Sequence, residues 1–405
     1  MHHARQYPLA MFGAIAFALL IFVAAAPARG QGIEWRTLND EVMSLYRAGK
    51  YDQAVVVAIK ALAVAEKEMG ADHPLVAAIL NNLASLYRAQ GEYAAAEPLH
   101  KRALAISEKA LGPDHPDVAL SLNNLAELYK AQGQYPAAEP LHKRALAIRE
   151  NALGPEHPDV ATSLNNLAAL YVTQGQYAAA EPLYKRSLAI WEKALGPDHP
   201  SVATSLNNLA AFYGTQGEYA AAEPLYKRSL AIREKVLGPD HPDVATSLNN
   251  LAALYDTQGQ YPAAEPLRKR SLAISEKALG PDHPDVALSL NNLAFPYFTQ
   301  GQYAAAEPLY KRSLAIREKA FGPDHPDVAS SLNNLAELYK AQGQYAAAEP
   351  LYKRSLAIRE KALRPDHPDV AASLENLAAL YRKMDRVKDA EPLEERAKAI
   401  RAIQR

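Results

Sequence analysis

Apolar residues return at i, i+3, i+4 and i+7 in one stretch after another. After His199 those places are taken by Leu206, Leu209, Ala210 and Tyr213, the buried stripe of an amphipathic helix, here helix A. Gln216-Gly217-Glu218 breaks the pattern, and Gly217 permits a turn. A second stripe runs through Tyr219, Ala222, Tyr226, Ser229 and Leu230 to Val236 and Leu237, predicting a helix B of about five turns. Small Ala222 and Ser229 beside large Tyr226 suit a close crossing of the two helices. Leu237-Gly238-Pro239-Asp240-His241-Pro242-Asp243 then closes one unit and opens the next. Gly238 suits a left-handed position past a helix end, and Pro239 cannot continue that helix. Asp240 or His241 can cap the following helix, and Pro242 fits its first turn because its missing N–H would be unpaired there.

The pattern recurs about every 42 residues. His-Pro returns at His73, His115, His157, His199, His241, His283, His325 and His367. A fixed period in this range marks stacked supersecondary units, each too small to bury its own apolar face. Function is then to be sought along a long surface rather than in one central pocket. Nine units can be counted, the first turning at Gly49 and the last at Asp385. The terminal units are irregular: Asp40 and Glu41 stand where later copies have paired asparagines, and the last carries Glu375, Asp385 and a charged tail ending at Arg405. Polar ends of this kind keep a stacked array soluble. Two features break local rules. Pro98, Pro140, Pro182, Pro224, Pro266, Pro308, Pro350 and Pro392 sit just inside helix B, and Pro296 lies mid-way in a helix A, where a kink and weak local protection are expected.

Charge and composition remove several function classes. The formal net charge is −1, with acids and bases mixed in every repeat, so no basic stripe marks a nucleic-acid partner. The chain has no cysteine, which excludes disulfides, thiolate metal sites and a cysteine nucleophile. One histidine per loop is poor metal geometry, because zinc needs several nitrogens within ~2.1 Å of one point. Capping accounts for His-Pro-Asp without a metal, and no cofactor is expected. There is no phosphate-binding glycine loop, no G-x-S-x-G and no H-E-x-x-H, so the chain does not read as an enzyme. The N-terminus differs from the rest. Arg5 precedes the apolar run Leu9–Ala26, and Ala26-Pro27-Ala28 follows as a small-residue cleavage pattern. Residues 1–28 are therefore expected to be a signal peptide, or an uncleaved anchor since the run borders on a spanning length. Either way the repeats are expected outside the cytoplasm, periplasmic or secreted, with membrane contact only if the segment is uncleaved.

Leu-Asn-Asn-Leu-Ala, Leu-Tyr, Gln-Gly-x-Tyr, Ala-Glu-Pro-Leu, Lys-Arg-Ser/Ala-Leu-Ala-Ile and Leu-Gly-Pro-Asp-His-Pro-Asp-Val-Ala together resemble the tetratricopeptide repeat (TPR), in the long variety of kinesin light chains. The resemblance implies an all-α, right-handed α-solenoid of nine helix-turn-helix units over 33–405, after a short linker at 29–32. The units are expected at 33–69, 75–111, 117–153, 159–195, 201–237, 243–279, 285–321, 327–363 and 369–403. It further implies a non-catalytic module that binds a peptide or protein along a concave face lined by helix A. A self-associating scaffold without a peptide ligand is the alternative. Motor transport is not implied, because the heptad segment of kinesin light chains is missing and an export signal stands in its place.

In the resembled family the second asparagine of each pair often faces the ligand. Here these are Asn82, Asn124, Asn166, Asn208, Asn250, Asn292, Asn334 and Asn376. An amide donates and accepts, which suits a peptide main chain. With helices about 8–10 Å apart and extended chain rising ~3.3 Å per residue, one asparagine would serve roughly three ligand residues. The competing expectation is that these amides brace neighbouring repeats, and for the first of each pair, such as Asn207, bracing is expected. Selectivity would come from what varies. Three residues after the second asparagine stand Ser85, Glu127, Ala169, Ala211, Ala253, Phe295, Glu337 and Ala379, and six after it Arg88, Lys130, Val172, Gly214, Asp256, Phe298, Lys340 and Arg382. The ends are charged and the middle reads as small or apolar, pointing to a ligand with an apolar centre and charged flanks, held partly by Phe295 and Phe298. Lys227-Arg228, with Glu223 four residues before Lys227, reads as a solvated outer face.

Overall fold

The computed structural model describes residues 33–403, and these form eighteen α-helices with no strand. They pair as nine hairpins: α1 (Ile33–Arg47) with α2 (Tyr51–Met69), α3 (Pro74–Ala89) with α4 (Tyr93–Leu111), α5 (Pro116–Ala131) with α6 (Tyr135–Leu153), and α7 (Pro158–Thr173) with α8 (Tyr177–Leu195). Next come α9 (Pro200–Thr215) with α10 (Tyr219–Leu237), α11 (Pro242–Thr257) with α12 (Tyr261–Leu279), and α13 (Pro284–Thr299) with α14 (Tyr303–Phe321). The last are α15 (Pro326–Ala341) with α16 (Tyr345–Ala362) and α17 (Pro368–Lys383) with α18 (Val387–Ile403). The expected all-α array of helix-turn-helix units is therefore present. The N-terminal apolar segment and the linker at 29–32 lie outside the described residues.

Every helix A from α3 to α17 opens on the histidine. Nδ1 of His241 accepts from the N–H of Asp243 at 3.1 Å, and Pro242 takes the first helical place. The same bond recurs from His73 to His367. Of the two caps the pattern allowed, Asp240 and His241, the histidine takes the role. Gly238, at φ 89° and ψ 157°, ends α10 in a region that L residues with a Cβ avoid.

Burial follows the stripes. In the fifth hairpin Ala210 of α9 packs with Ala222 and Tyr226 of α10, and Leu206 with Ile232. The expected small-to-large crossing has a specific cause: Ser229 Oγ donates to the Ala203 carbonyl at 2.7 Å, drawing α10 against α9. Ser187, Ser271, Ser313 and Ser355 make the equivalent bond. Val236, expected in the stripe, is exposed; the packed stretch of α10 ends at Ile232 and Arg233. The helix-B prolines stand past the first turn, Pro98 five places after Tyr93, so each forgoes one i−4 hydrogen bond. α13 runs unbroken through buried Pro296.

The chain divides into two compact units. Among the described residues, unit 1 comprises 33–46, 53–87 and 94–274; unit 2 comprises 275–403 with two short segments, Arg47–Asp52 and Arg88–Tyr93.

Candidate functional site

The second asparagines of the pairs are all half-buried on helix A. Several are linked in a row. Asn82 Nδ2 donates to Asn39 Oδ1 at 3.2 Å, Asn208 to Asn165 at 2.9 Å, and Asn250 to Asn207 at 2.8 Å within unit 1. In unit 2 Asn334 donates to Asn291 and Asn376 to Asn333, both at 2.8 Å. Each bond reaches from one helix A to the first asparagine of the preceding repeat. It uses one of the two N–H donors of the amide. The row also corrects the register of the first unit. Asn39, not Asp40, occupies the first-asparagine place, and Asp40 the second, so only one amide of the pair is lost there.

The first asparagines are mostly buried and carry a second kind of brace. Asn81 Oδ1 lies 2.9 Å from His100 Nδ1 while its Nδ2 donates to Ser121 of the next repeat at 3.0 Å. Asn123 pairs in the same way with His142, at 2.9 Å.

Glu127, Lys130, Asp256, Glu337, Lys340 and Arg382, among the variable helix-A positions, are engaged inside their own hairpins. Lys130 lies 2.7 Å from Glu127, and Lys340 2.7 Å from Glu337. Burial pushes the Glu127 carboxyl up, but Lys130 and His142 outweigh it and hold the group far below the usual carboxylate range. Arg382 makes a two-pronged pair with Glu394, Nε to Oε1 at 3.0 Å and Nη2 to Oε2 at 2.6 Å. Asp256 does not fit the small or apolar middle that the sequence suggested. It is buried and accepts from Arg268 Nε at 2.8 Å and Nη2 at 2.5 Å. Burial raises the Asp256 carboxyl, with the Arg268 guanidinium opposing it. In both pairs the partners stand twelve residues apart. The helix-B member takes the place of His142, Tyr184, Tyr226 or Tyr352 in other hairpins. That place was overlooked in the sequence, although its changes run in step with those of the helix-A position. Phe295 and Phe298 are half-buried, and Phe298 lies against Tyr303 with ring centroids 6.0 Å apart.

Away from helix A the polar groups link repeats. Arg233 Nη1 of α10 donates to Ser247 Oγ at 2.8 Å and to the Asp243 carbonyl at 3.2 Å. Arg149, Arg317 and Arg359 reach the helix A of the following hairpin in the same way. Lys227 pairs with Glu223 at 2.7 Å, as its spacing implied, whereas Arg228 reaches Glu192 of the preceding repeat at 2.7 Å. Among the described residues no three His, Asp or Glu side chains are arranged to hold a metal ion.

The family model for the tetratricopeptide repeat matches residues 36–109, 76–151, 117–193, 159–235, 201–277, 258–319, 292–361 and 327–402. No curated protein sequence matches the chain. Among solved structures, the chain is similar to a Podosopora anserina protein described as a kinesin light chain with nearly identical TPR-like repeats. That similarity is 33% identity over 51% of this chain and 97% of that one, with a TM-score of 0.42. BtubC (BKLC) from P. vanneervenii is 25% identical over 60% of this chain and 92% of that one, with a TM-score of 0.45. A Rap protein complexed with Competence and Sporulation Factor shares the fold over 92% of this chain and 100% of that one, at 16% identity and a TM-score of 0.59.

Proposed function

Because the chain belongs to the tetratricopeptide repeat family, we propose that it is a protein-interaction module whose helix-A face receives an extended segment of a protein partner. The observation that carries this reading is the row of half-buried amides recurring once per repeat. At Asn208, Asn250 and Asn334 the inter-repeat bond holds the amide in one orientation and leaves its second N–H outside that bond. A pre-set row of donors suits a main chain, whose polar groups recur whatever its sequence. Charge contributes little, since Lys130, Lys340 and Arg382 are neutralised within their own hairpins. Binding is therefore expected to depend weakly on salt.

Bracing and binding are separable. Asn208→Ala, Asn250→Ala and Asn334→Ala together should abolish capture of members of a random-sequence peptide array while the helical signal persists. Unchanged capture with a lowered melting temperature would assign the row to bracing alone. The order of basic, apolar and small residues at the N-terminus supports export as the setting for this binding. N-terminal sequencing of the mature protein should begin after Ala28; a start at Met1 would remove the cleavage reading.

A further inference from the structure

The capping bond of the loop histidines has a second effect. With Nδ1 accepting from the backbone, the neutral ring carries its proton on Nε2, and each histidine presents an N–H donor on the side away from its own helix. Within unit 2 two of these donors are used. His283 Nε2 donates to the Arg47 carbonyl at 3.1 Å, and His325 Nε2 to the Ala89 carbonyl at 2.8 Å. The hairpin turns bearing those carbonyls lie close on the His-Pro loops. A Cβ added to Gly49 would stand 2.7 Å from Pro284 Cδ, and one on Gly91 2.5 Å from Pro326 Cδ. Tyr51 stacks on Phe321 with centroids 5.4 Å apart, and Phe321 on His325 at 4.3 Å. The two histidine side chains are left 7% and 6% exposed.

The same two surfaces are open elsewhere. The side chains of His115, His157 and His241 are 39%, 41% and 41% exposed. Gly175, Gly217, Gly259, Gly301 and Gly343 hold the same positive φ as Gly49, and an added Cβ would meet nothing within 4 Å. Tyr177 opens its helix B as Tyr51 does, and Leu195 closes the same helix as Phe321 closes α14. Both are exposed, at 40% and 39%. Apolar side chains thus stand in solvent at the very positions that stack where the contact is made.

We propose that these open rows dock on each other between copies of this chain, the hairpin turns of one copy on the His-Pro loops of the next. The contacts inside unit 2 show the manner of docking: an Nε2–H of a His-Pro loop donates to a carbonyl at a hairpin turn. In this association the open turns at Gly259, Gly301 and Gly343 of one copy meet the open loops at His115, His157 and His199 of the next. Turn and loop are different surfaces, so a head-to-tail association leaves one of each open at its ends for a further copy. It does not rest on the peptide-binding reading, since the helix-A asparagines take no part.

Sedimentation velocity of the full chain across a wide concentration range tests it. The unaltered chain should gain mass with concentration. His115→Asn, His157→Asn and His199→Asn keep a helix cap but remove the far-side donor, and should weaken association about tenfold or more. Gly259→Asn, Gly301→Asn and Gly343→Asn should do the same, by placing a Cβ where a docked proline would lie. Asn tolerates this backbone, and the last hairpin already carries Asp385 at φ 57°. Circular dichroism checks that each set folds, and either folded set suffices as a test. A chain that stays monomeric throughout, or association that survives a folded set, overturns the proposal.

Discussion

At the scale of single residues, the repeat works by exchanging one satisfied arrangement for another. Arg233 and its counterparts bond the serine of the following helix A, but in the fourth hairpin Trp191 stands in that place, and the Ser205 hydroxyl has no partner among the described residues. Ser247→Ala should cost about 1–3 kcal/mol by stripping a bond from a buried guanidinium, whereas Ser205→Ala should be neutral or gain up to about 1 kcal/mol. Urea unfolding of the two variants compares them directly. The Asp256–Arg268 pair makes a sharper contrast. Asp256→Ala should cost about 3–5 kcal/mol, because it leaves Arg268 buried without its counter-charge. Adding Arg268→Tyr to Asp256→Val copies the Val172 and Tyr184 combination of the fourth hairpin and should recover most of that loss. A double variant no more stable than Asp256→Ala would show that the pair is not what fixes this site.

At the scale of helices and turns, much was legible and the remainder has identifiable causes. Stripe spacing marked both helices of each hairpin, and the Gly-Pro-x-His-Pro loops marked their ends. The cap could not be assigned from the pattern, because aspartate is the commoner capping residue and only the observed bond from Asp243 to His241 decides between neighbours. The first unit was misregistered because Asp40 and Glu41 look like a polar replacement for a pair, while the bond from Asn82 shows that Asn39 keeps its place. The helix-B half of the site was missed because its tyrosines look like packing residues until Arg268 appears among them. Pro296, where most other helices A have leucine and α9 has Phe212, removes an N–H from the interior of α13. Pro296→Leu should raise amide protection across α13 by about 3 kcal/mol, and exchange rates that do not change would show the helix already accommodates the ring.

The histidine turns carry a pH dependence at the same scale. Burial draws His325 below its ordinary value; Asp327, the Ala89 carbonyl and Glu92 oppose that, while Arg317 adds to it. The docked state thus prefers the neutral ring, so its contribution is complete above the free-imidazole range near ~6.5 and fades as pH falls below it. Amide protection at residues 88–93, corrected for intrinsic exchange, should drop on acidification. His325→Asn should remove that dependence.

For the whole molecule, repetition spreads stability over many weak links. Arg102, Arg144, Arg186, Arg228, Arg270, Arg312, Arg354 and Arg396 each reach a glutamate of the preceding repeat, with the arginine about two-fifths exposed. Solvent screens such pairs, so removing one, as in Arg228→Ala, should shift the unfolding midpoint by less than about 1 kcal/mol. The compensated couples bear on ancestry. In each, both members stand on one hairpin, a dozen positions apart. A duplication or loss of one 42-residue block carries the two together, so the array can lengthen or shorten by whole copies without stranding a charge.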